Sequence, residues 1–246
     1  MSDQPVLNGR VAVITGGSRG VGYAIAHAFV TAGARVLVVS RKPDAVRDAV
    51  SRLCVSGENA RGLALDVNGP DAAQSLTAEA QKAFGRVDIL VNCAGVFVYK
   101  PLLDLSAADW ATSLATNLTA PFVLTQAFGR AFVAQKSGGC IINITSVHGA
   151  IADANGAAQS ASKFGLEGLT KAAAEALRPH DIRVNAIAPG AIEPDSATAQ
   201  GSGPRARVTQ GDVAALAVYL ASDAARTITG STIELFGVTR PALMLG

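Results

Sequence analysis

The sequence predicts one α/β domain in which a doubly wound parallel sheet of about seven strands carries helices on both faces. Three observations lead to this prediction. Short runs rich in Val, Ile and Leu recur along the 246 residues. Each run is nearly continuous in apolar character, which is typical of strands buried on both faces. Longer Ala-rich segments with helical periodicity lie between the runs, and no linker, charge block or repeat divides residues 1–246.

The predicted strands follow one another along the chain at residues 10–15, 34–40, 60–67, 87–92, 140–145, 182–188 and 231–236. The predicted helices alternate with them, near residues 20–33, 43–56, 69–84, 106–135, 156–178 and 211–222. Sheets of this kind bind ligands beyond the carboxyl ends of their strands. The residues that follow each strand are therefore the candidates for a functional site.

Composition excludes several classes of protein. The net charge is +2 and the basic residues are scattered, so nothing favours nucleic-acid or membrane-surface binding. The three cysteines, Cys54, Cys93 and Cys140, have no metal-ligand spacing and fit a reducing compartment; no metal site is expected. The first residues do not resemble a signal peptide, and no apolar run approaches the roughly 20 residues that span a bilayer. We expect a soluble cytoplasmic protein.

A glycine-rich loop follows the first predicted strand. It reads TGGSRGVG and comprises Thr15, Gly16, Gly17, Ser18, Arg19, Gly20, Val21 and Gly22. Glycines let a backbone turn tightly and approach a pyrophosphate, and the next helix directs its N-terminus at the negative charge. Any tight strand-to-helix turn can use glycine, but the position at the start of a βαβ unit indicates a Rossmann-type dinucleotide site.

The end of the second predicted strand favours NADP(H) over NAD(H). A free ribose 2′-hydroxyl usually meets an Asp or Glu there. This chain has Ser40, Arg41 and Lys42 instead, with Arg19 in the facing loop. Guanidinium groups suit a 2′-phosphate. The alternative is that Arg41 and Lys42 are merely solvated.

Several segments, in this order, resemble the short-chain dehydrogenase/reductase family, and most closely its NADPH-dependent carbonyl and 3-oxoacyl reductases. They are TGGSRGVG, LDV with Asp66 and Val67, NCAG with Asn92, Ala94 and Gly95, TNL with Asn117, NITSVHG, SASKFG and IRVNAIAPG. The resemblance implies that Asp66 contacts the adenine and that the NCAG segment supports the cofactor. It also implies cofactor contacts from Pro189, Gly190 and Ile192, and a homodimer or homotetramer formed through the two long helices.

The resemblance assigns the reactive end to Asn117, Ser146 and Lys163. It implies that Asn117 holds a water of a proton relay, that Ser146 positions the substrate oxygen, and that Lys163 binds the nicotinamide ribose. The family's catalytic tyrosine belongs thirteen residues after the serine and four before the lysine. Both counts reach Gln159. A glutamine amide can donate a hydrogen bond but cannot release its proton near neutral pH.

Other groups could supply the missing proton. His148 follows Ser146 by two residues, and its ordinary pKa near 6.5 suits proton transfer. Tyr99 could reach the substrate or form a wall of its pocket. Asp153 could do so as well, although a capping role near Asn155 is equally consistent with the sequence. Ordered water is a fourth source, and His148 itself could be an exposed loop residue with no role.

Further departures from the family lie on the same side of the predicted fold. The family has a threonine after PGxIx, whereas Pro194 stands in that position here. Residues 191–210 are rich in small polar residues and lack helical periodicity, so we expect a short flexible substrate loop. The chain ends in an apolar tail where Asp-Gly-Gly is commoner in the family.

Three functions remain open at this point. The first is an NADP(H)-dependent oxidoreductase acting on a carbonyl or alcohol, with an unusual proton donor. The second is a weakly active NADP(H)-binding pseudoenzyme or partner subunit. The third is a non-redox lyase or isomerase in which Ser146 and Gln159 stabilise an oxyanion while His148 moves protons. The retained Asn117, Ser146 and Lys163 favour the first.

Overall fold

The structure is a computed structural model that describes residues 5–54, 59–192 and 208–236. Seven parallel strands form one sheet in the order β3-β2-β1-β4-β5-β6-β7, which confirms the predicted doubly wound α/β fold. The strands are β1 Val11–Thr15, β2 Arg35–Ser40, β3 Ala60–Ala64, β4 Ile89–Asn92, β5 Gly139–Ile144, β6 Ile182–Pro189 and β7 Thr232–Leu235.

Seven α-helices of the described residues connect these strands. They are α1 Gly20–Thr31, α2 Pro43–Leu53, α3 Ala72–Phe84, α4 Ala107–Leu114, α5 Ala120–Gln135, α6 Ala157–Leu177 and α7 Gln210–Ala221. The helices α1, α2 and α7 pack on one face of the sheet, while α3, α5 and α6 pack on the other. None of the described helices is both long enough and apolar enough to cross a membrane.

The core has two parts because side chains of a strand alternate between the faces of the sheet. Along β1, Ala12 and Ile14 pack with Phe29 of α1, whereas Val13 packs with Phe128 of α5 on the opposite face. The larger of these side chains are fully buried: Val13, Ile14, Phe29 and Phe128. This double coverage explains the continuous apolar runs in the sequence.

The edge strands differ from the prediction. Residues 60–67 were expected to form a strand, but β3 ends at Ala64 and its burial is broken by exposed positions. The strand β7 is also only partly covered. An edge strand has one neighbour instead of two and fewer helices above it, so its sequence need not be apolar throughout. The helix expected over residues 43–56 likewise ends early, at Leu53.

The helix predicted over residues 106–135 is interrupted. A five-residue π-helical turn, Ala115–Thr119, separates α4 from α5. Such wide turns are rare in proteins, and those that occur are often found at functional sites. Here the turn contains Asn117, one of the residues that the family resemblance assigns to the reactive end.

Candidate active site

A cavity of about 400 Å³ opens at the carboxyl ends of the first four strands. It lies where β1 has β2 on one side and β4 on the other, so that the strand order reverses there. This is the point at which doubly wound sheets bind dinucleotides. Twelve of the residues predicted to bind cofactor line the cavity: Gly16, Ser18, Arg19, Gly20, Val21, Gly22, Ser40, Arg41, Asp66, Val67, Ala94 and Gly95.

The glycine loop is shaped for a close backbone approach. Gly16 has a φ of +68°, and a Cβ there would stand 2.9 Å from the Cα of Ala94. A Cβ on Gly22 would stand 2.3 Å from the carbonyl oxygen of Gly16. No side chain caps the start of α1, so the amide N–H groups of its first turn remain available to an anion. These features fit the pyrophosphate of a dinucleotide.

The side of the cavity near the end of β2 and the facing glycine loop carries mainly positive charge. Arg19 and Arg41 are exposed, line the cavity, and form no ion pair with the described residues. Asp66 is the one carboxylate among the described lining residues, and its Oδ1 accepts a hydrogen bond from the amide of Asn68 at 3.0 Å. Lys42 is exposed, precedes α2, and does not line the cavity.

Two of the predicted cofactor residues lie beneath the cavity. The Thr15 hydroxyl donates to the carbonyl of Val91 at 3.3 Å and accepts from the amides of Cys93 and Ala94 at 3.0 and 3.1 Å. The buried Asn92 donates from Nδ2 to the Oδ1 of Asn143 at 2.8 Å. Thr15 and Asn92 thus join β1, β4 and β5 and hold the loops that line the cavity.

Asn117 is held by the backbone of Val96. The Val96 amide donates to its Oδ1 at 2.9 Å, and its Nδ2 donates to the Val96 carbonyl at 3.0 Å. These two bonds fix which end of the Asn117 amide is nitrogen. The approach is close, because a Cβ on Gly95 would stand 3.3 Å from the Asn117 Oδ1.

Gln159 contacts Asn117 directly. The Asn117 Nδ2 lies 3.2 Å from the Gln159 Oε1, and Gln159 is buried in the first turn of α6. Since Asn117 is the donor, Gln159 must be the acceptor at this contact. The Gln159 amide nitrogen therefore keeps its N–H donors, and it has no hydrogen-bond partner among the described residues.

Lys163 lies one turn further along α6 and is also buried. Its ammonium group donates to the carbonyl of Ile144, at the end of β5, at 2.8 Å. Burial lowers the pKa of Lys163 from 10.5 to about 8, an effect that the nearby Cys93 partly opposes. The Cys93 thiol is itself disfavoured as a thiolate, since burial raises its pKa to about 11. Lys163 is thus a cation at neutral pH that sits close to its titration range.

Ser146 and His148 form a pair beyond the end of β5. The Ser146 Oγ lies 3.2 Å from the His148 Nδ1 and accepts a hydrogen bond from the His148 amide at 3.3 Å. Partial burial lowers the pKa of His148 below its ordinary value, while the charge of Asp153 opposes this shift. His148 is therefore mainly neutral at pH 7 and can accept a proton from Ser146.

Tyr99 and Asp153 belong to the same cluster. A hydrogen bond with Asp153 raises the pKa of the Tyr99 hydroxyl and lowers the pKa of the Asp153 carboxyl. Asp153 also accepts from the amide of Asn155 at 2.8 Å, although the N-cap of α6 is Gly156 and no side chain caps that helix. Tyr99 contacts the His148 ring edge to face, with centroids 6.3 Å apart. Three side chains that sequence reasoning treated as separate alternatives are thus one connected group.

The segment after β6 is described only in part. Pro189 ends β6, the Gly190 amide donates to the Leu235 carbonyl at 2.9 Å, and Ile192 forms a β-bridge with Val208. None of these three lines the cavity at the carboxyl ends of the first four strands. Pro194 and most of the predicted substrate loop 191–210 lie outside the described residues, as does the apolar tail beyond Phe236.

Sequence reasoning missed several members of the site. Asn68 and Thr116 line the cavity and are joined by a hydrogen bond of 2.9 Å from the Asn68 Nδ2 to the Thr116 Oγ1. Cys93, considered only as an apolar filler, lines the same cavity and influences Lys163. Their signal in the sequence was adjacency, because each neighbours a residue that was already assigned to the site.

The fold, the glycine loop and this cavity define a dinucleotide-binding α/β protein. Residues 10–204 match the short chain dehydrogenase family. The chain is 35% identical over 242 residues to a D-threitol dehydrogenase of Mycolicibacterium smegmatis, with 94% of this chain and 93% of the relative covered. It is 36% identical to the 3-oxoacyl-[acyl-carrier-protein] reductase of Salmonella typhimurium, covering 94% and 97%.

A crystal structure from Sinorhizobium meliloti 1021, ascribed to a short-chain alcohol dehydrogenase, aligns with a TM-score of 0.86 at 36% identity. The alignment covers 94% of this chain and 96% of that one. The chain belongs to the short-chain dehydrogenase/reductase family. Members of this family are oxidoreductases that act on carbonyl or alcohol groups with NAD(H) or NADP(H).

Proposed function

We propose that the protein is an NADP(H)-dependent oxidoreductase of carbonyl and alcohol substrates, in which Ser146 and His148 carry the proton that a tyrosine carries in the family. In this proposal Gln159 occupies the position of that tyrosine. The 3.2 Å contact between the Ser146 Oγ and the His148 Nδ1 is the observation that supports it most directly. It connects a hydroxyl suited to bind the substrate oxygen with a group that titrates near neutral pH.

The cofactor, when bound, supplies or takes the hydride at the substrate carbon. The remaining work belongs to the protein. Ser146 binds the substrate oxygen, and the free amide donors of Gln159 stabilise negative charge on it. In alcohol oxidation the proton passes from the substrate hydroxyl through the Ser146 Oγ to the His148 Nδ1. In carbonyl reduction a protonated His148 returns it by the same route.

The charge state of His148 sets the pH dependence. Its lowered pKa makes the neutral ring the main form at pH 7, which is the form that accepts a proton. We therefore expect oxidation to rise and reduction to fall as the pH increases through the pKa of His148, in the range below about 6.5.

Lys163 and the cavity residues would hold the cofactor, while Asn117 would hold a water of the proton relay. The Lys163 ammonium requires no tyrosine to bind a ribose hydroxyl, and only its bond to the Ile144 carbonyl occupies it among the described residues. Arg19 and Arg41, with Ser40, would bind the 2′-phosphate of NADP(H) rather than the free 2′-hydroxyl of NAD(H). Asp66 and Val67 would contact the adenine. Pro189, Gly190 and Ile192 stay proposals from the resemblance.

We also propose that the chain forms a single domain and assembles as a homodimer or homotetramer. A groove of about 620 Å³ runs along the outer side of α5 and α6. Phe122 and Val133 line it, and Phe122 is 48% exposed although its ring is apolar. Exposed apolar patches of this kind favour association through the two long helices. Light scattering of the native chain beside Phe122→Glu tests this part of the proposal.

His148→Gln tests the proton donor. We expect reduction of a carbonyl panel with NADPH to fall by about 10²–10⁴-fold, because a positioned general acid contributes that much. Loss of the pH-dependent limb is the decisive readout, since a structural role of His148 would lower the rate without removing it. Ser146→Ala should lose the same limb. Native rates in His148→Gln would overturn the assignment.

One observation favours a second candidate function, an NADP(H)-binding protein with little turnover. The Asn117 Nδ2 donates to Gln159, so part of the hydrogen-bonding capacity of Asn117 is used within the protein. NADPH would then raise the thermal midpoint of the native chain without being oxidised. Saturation at 100 times the dissociation constant should stabilise the fold by about 2.7 kcal/mol.

A further inference from the structure

Two aromatic side chains are exposed in the segment that follows β4. Phe97 is 64% exposed and Tyr99 is 44% exposed. Their rings are stacked, with centroids 5.5 Å apart and an angle of 10° between the planes. Contiguous exposed apolar surface beside a reactive centre is typical of a binding surface.

This aromatic pair lies against the proposed proton carrier. The His148 ring meets both rings edge to face, with centroids 5.9 Å from Phe97 and 6.3 Å from Tyr99. The other side of His148 contacts Ser146. His148 therefore contacts both the aromatic pair and Ser146, the residue proposed to bind the substrate oxygen.

The pair is held in place by the loop that precedes α6. Asp153 raises the pKa of the Tyr99 hydroxyl, and the amide of Lys100 donates to the carbonyl of Asn155 at 2.8 Å. A Cβ on Gly156 would stand 3.5 Å from both the Tyr99 and the His148 rings, so the two rings pack closely over this glycine. A surface held before binding loses little freedom when a ligand arrives.

The one lysine of these two segments is already paired. Lys100 forms an ion pair of 2.6 Å with Asp109, and Asp153 accepts a hydrogen bond from the Asn155 amide at 2.8 Å. Lys100 and His148 are the only basic residues of segments 97–110 and 146–156. An anionic substrate would find no unpaired lysine or arginine there, and a polyol would lose hydrogen bonds to water against apolar ring faces.

We infer that Phe97, Tyr99 and His148 recognise the substrate, and that it carries a flat aromatic or fused-ring group without negative charge next to the reacting carbon. This inference rests on the proposed oxidoreductase function and names its substrate class. Aromatic pairs in stacked or edge-to-face geometry gain free energy beyond the burial of their area, which an aliphatic chain or a sugar-like ketone does not.

Three ketones test the substrate class in assays of NADPH oxidation: 1-tetralone, 2-decanone and erythrulose. They represent a fused ring, a straight chain of the same carbon number, and a polyol ketone. We expect kcat/KM for 1-tetralone to exceed that for the other two by at least about tenfold. Equal values, or a preference for 2-decanone or erythrulose, would overturn the substrate class while leaving the oxidoreductase proposal in place.

Substitutions of the aromatic pair test the residues. Phe97→Ala should lower kcat/KM for 1-tetralone by about tenfold through KM, and it should change the value for erythrulose by less than about twofold. Tyr99→Phe keeps the ring and should keep the preference. Leu103→Ala is the matched control, since Leu103 is 97% exposed in the same segment. An equal loss for all three ketones, or a changed subunit number for Phe97→Ala, would assign these rings to folding or to a subunit contact.

If the enzyme assays show no turnover, ketone binding still tests the aromatic surface. If no ketone oxidises NADPH, the oxidoreductase proposal fails, and equilibrium dialysis of 1-tetralone and 2-decanone against the NADPH-loaded chain still tests the surface. Tighter binding of 1-tetralone that Phe97→Ala weakens would support the recognition surface. Equal binding of both ketones, or no effect of Phe97→Ala, would overturn it.

Discussion

Replacing Gln159 with tyrosine restores the residue that the family resemblance places there, and its effect distinguishes the two candidate functions. Gln159 is buried, its Oε1 accepts from Asn117 at 3.2 Å, and the Lys163 ammonium lies one helical turn away. A tyrosine hydroxyl near that cation would have a lowered pKa and could donate a proton. A positioned acid is worth 10²–10⁴-fold, or about 2.7–5.5 kcal/mol of the activation barrier.

If His148 already carries the proton, a second acid adds little. We therefore expect Gln159→Tyr to change kcat for the native chain by less than about tenfold. In the His148→Gln background the same substitution should recover most of the lost 10²–10⁴-fold, because the tyrosine then supplies the only acid. The assay is NADPH oxidation at pH 7 with all four combinations. Gln159→Phe is the control, since it brings the ring without the hydroxyl.

Packing opposes this gain in activity. The tyrosine is larger than glutamine at a site that is only 4% exposed, and overfilling a packed site costs about 1–3 kcal/mol of stability. Thermal midpoints of all four combinations must therefore accompany the rates. An inert native chain that gains 10²-fold or more from Gln159→Tyr would refute the role of His148. The glutamine would then hold the protein in a binding state.

Three further predictions concern cofactor, charge and backbone. Arg41→Ser should weaken NADPH binding by about 10–150-fold, because a charge-assisted hydrogen bond to the 2′-phosphate is lost, and it should change NADH binding by less than about threefold. Calorimetry of both cofactors measures the two affinities, and equal losses for NADPH and NADH would contradict this prediction. Lys163 has a folded pKa of about 8, below its unfolded value of 10.5, so stability should rise with pH as the buried ammonium loses its proton. From pH 7 to 9 the native chain should gain about 1.4 kcal/mol relative to Lys163→Met in urea denaturation; a pH-independent difference would show that the ammonium is not desolvated. Gly22→Ala places a Cβ 2.3 Å from the carbonyl oxygen of Gly16 and should cost about 1–3 kcal/mol, whereas Gly168→Ala, with open space in α6, should cost nothing or stabilise; similar denaturation midpoints for the two variants would refute the steric argument.

The central strands and the glycine loop could be predicted from the sequence because local rules determine them. β1, β2, β4 and β5 are covered on both faces, so most of their residues are apolar and the runs are easily recognised. The loop after β1 needs glycine for steric reasons that any sequence must obey. The predicted end of the edge strand β3 was wrong, because partial exposure allows polar residues in this strand and its apolar pattern no longer marks where it ends.

The π-helical turn could not be predicted, because its cause is not local. No residue pattern in Ala115–Thr119 predicts a wide turn, and the bonds that Asn117 makes within it reach Val96, 21 residues earlier. The contact between Ser146 and His148 was anticipated as proximity in sequence. Its extension through Asp153 to Tyr99, 54 residues apart in the chain, required the fold.

The proposed function divides the work of the family's catalytic tyrosine between different side chains. The tyrosine has two tasks in the family's scheme, to bind the substrate oxygen and to exchange a proton with it. In the proposed function the two tasks are separated: the Gln159 amide would offer hydrogen-bond donors, while the Ser146–His148 pair would offer a group that titrates. Lys163 then has no tyrosine beside it whose pKa it would lower, and its ammonium group keeps the hydrogen bond to the Ile144 carbonyl. Because the lowered pKa of His148 favours the neutral ring, the proposed division of tasks would favour alcohol oxidation over carbonyl reduction at neutral pH.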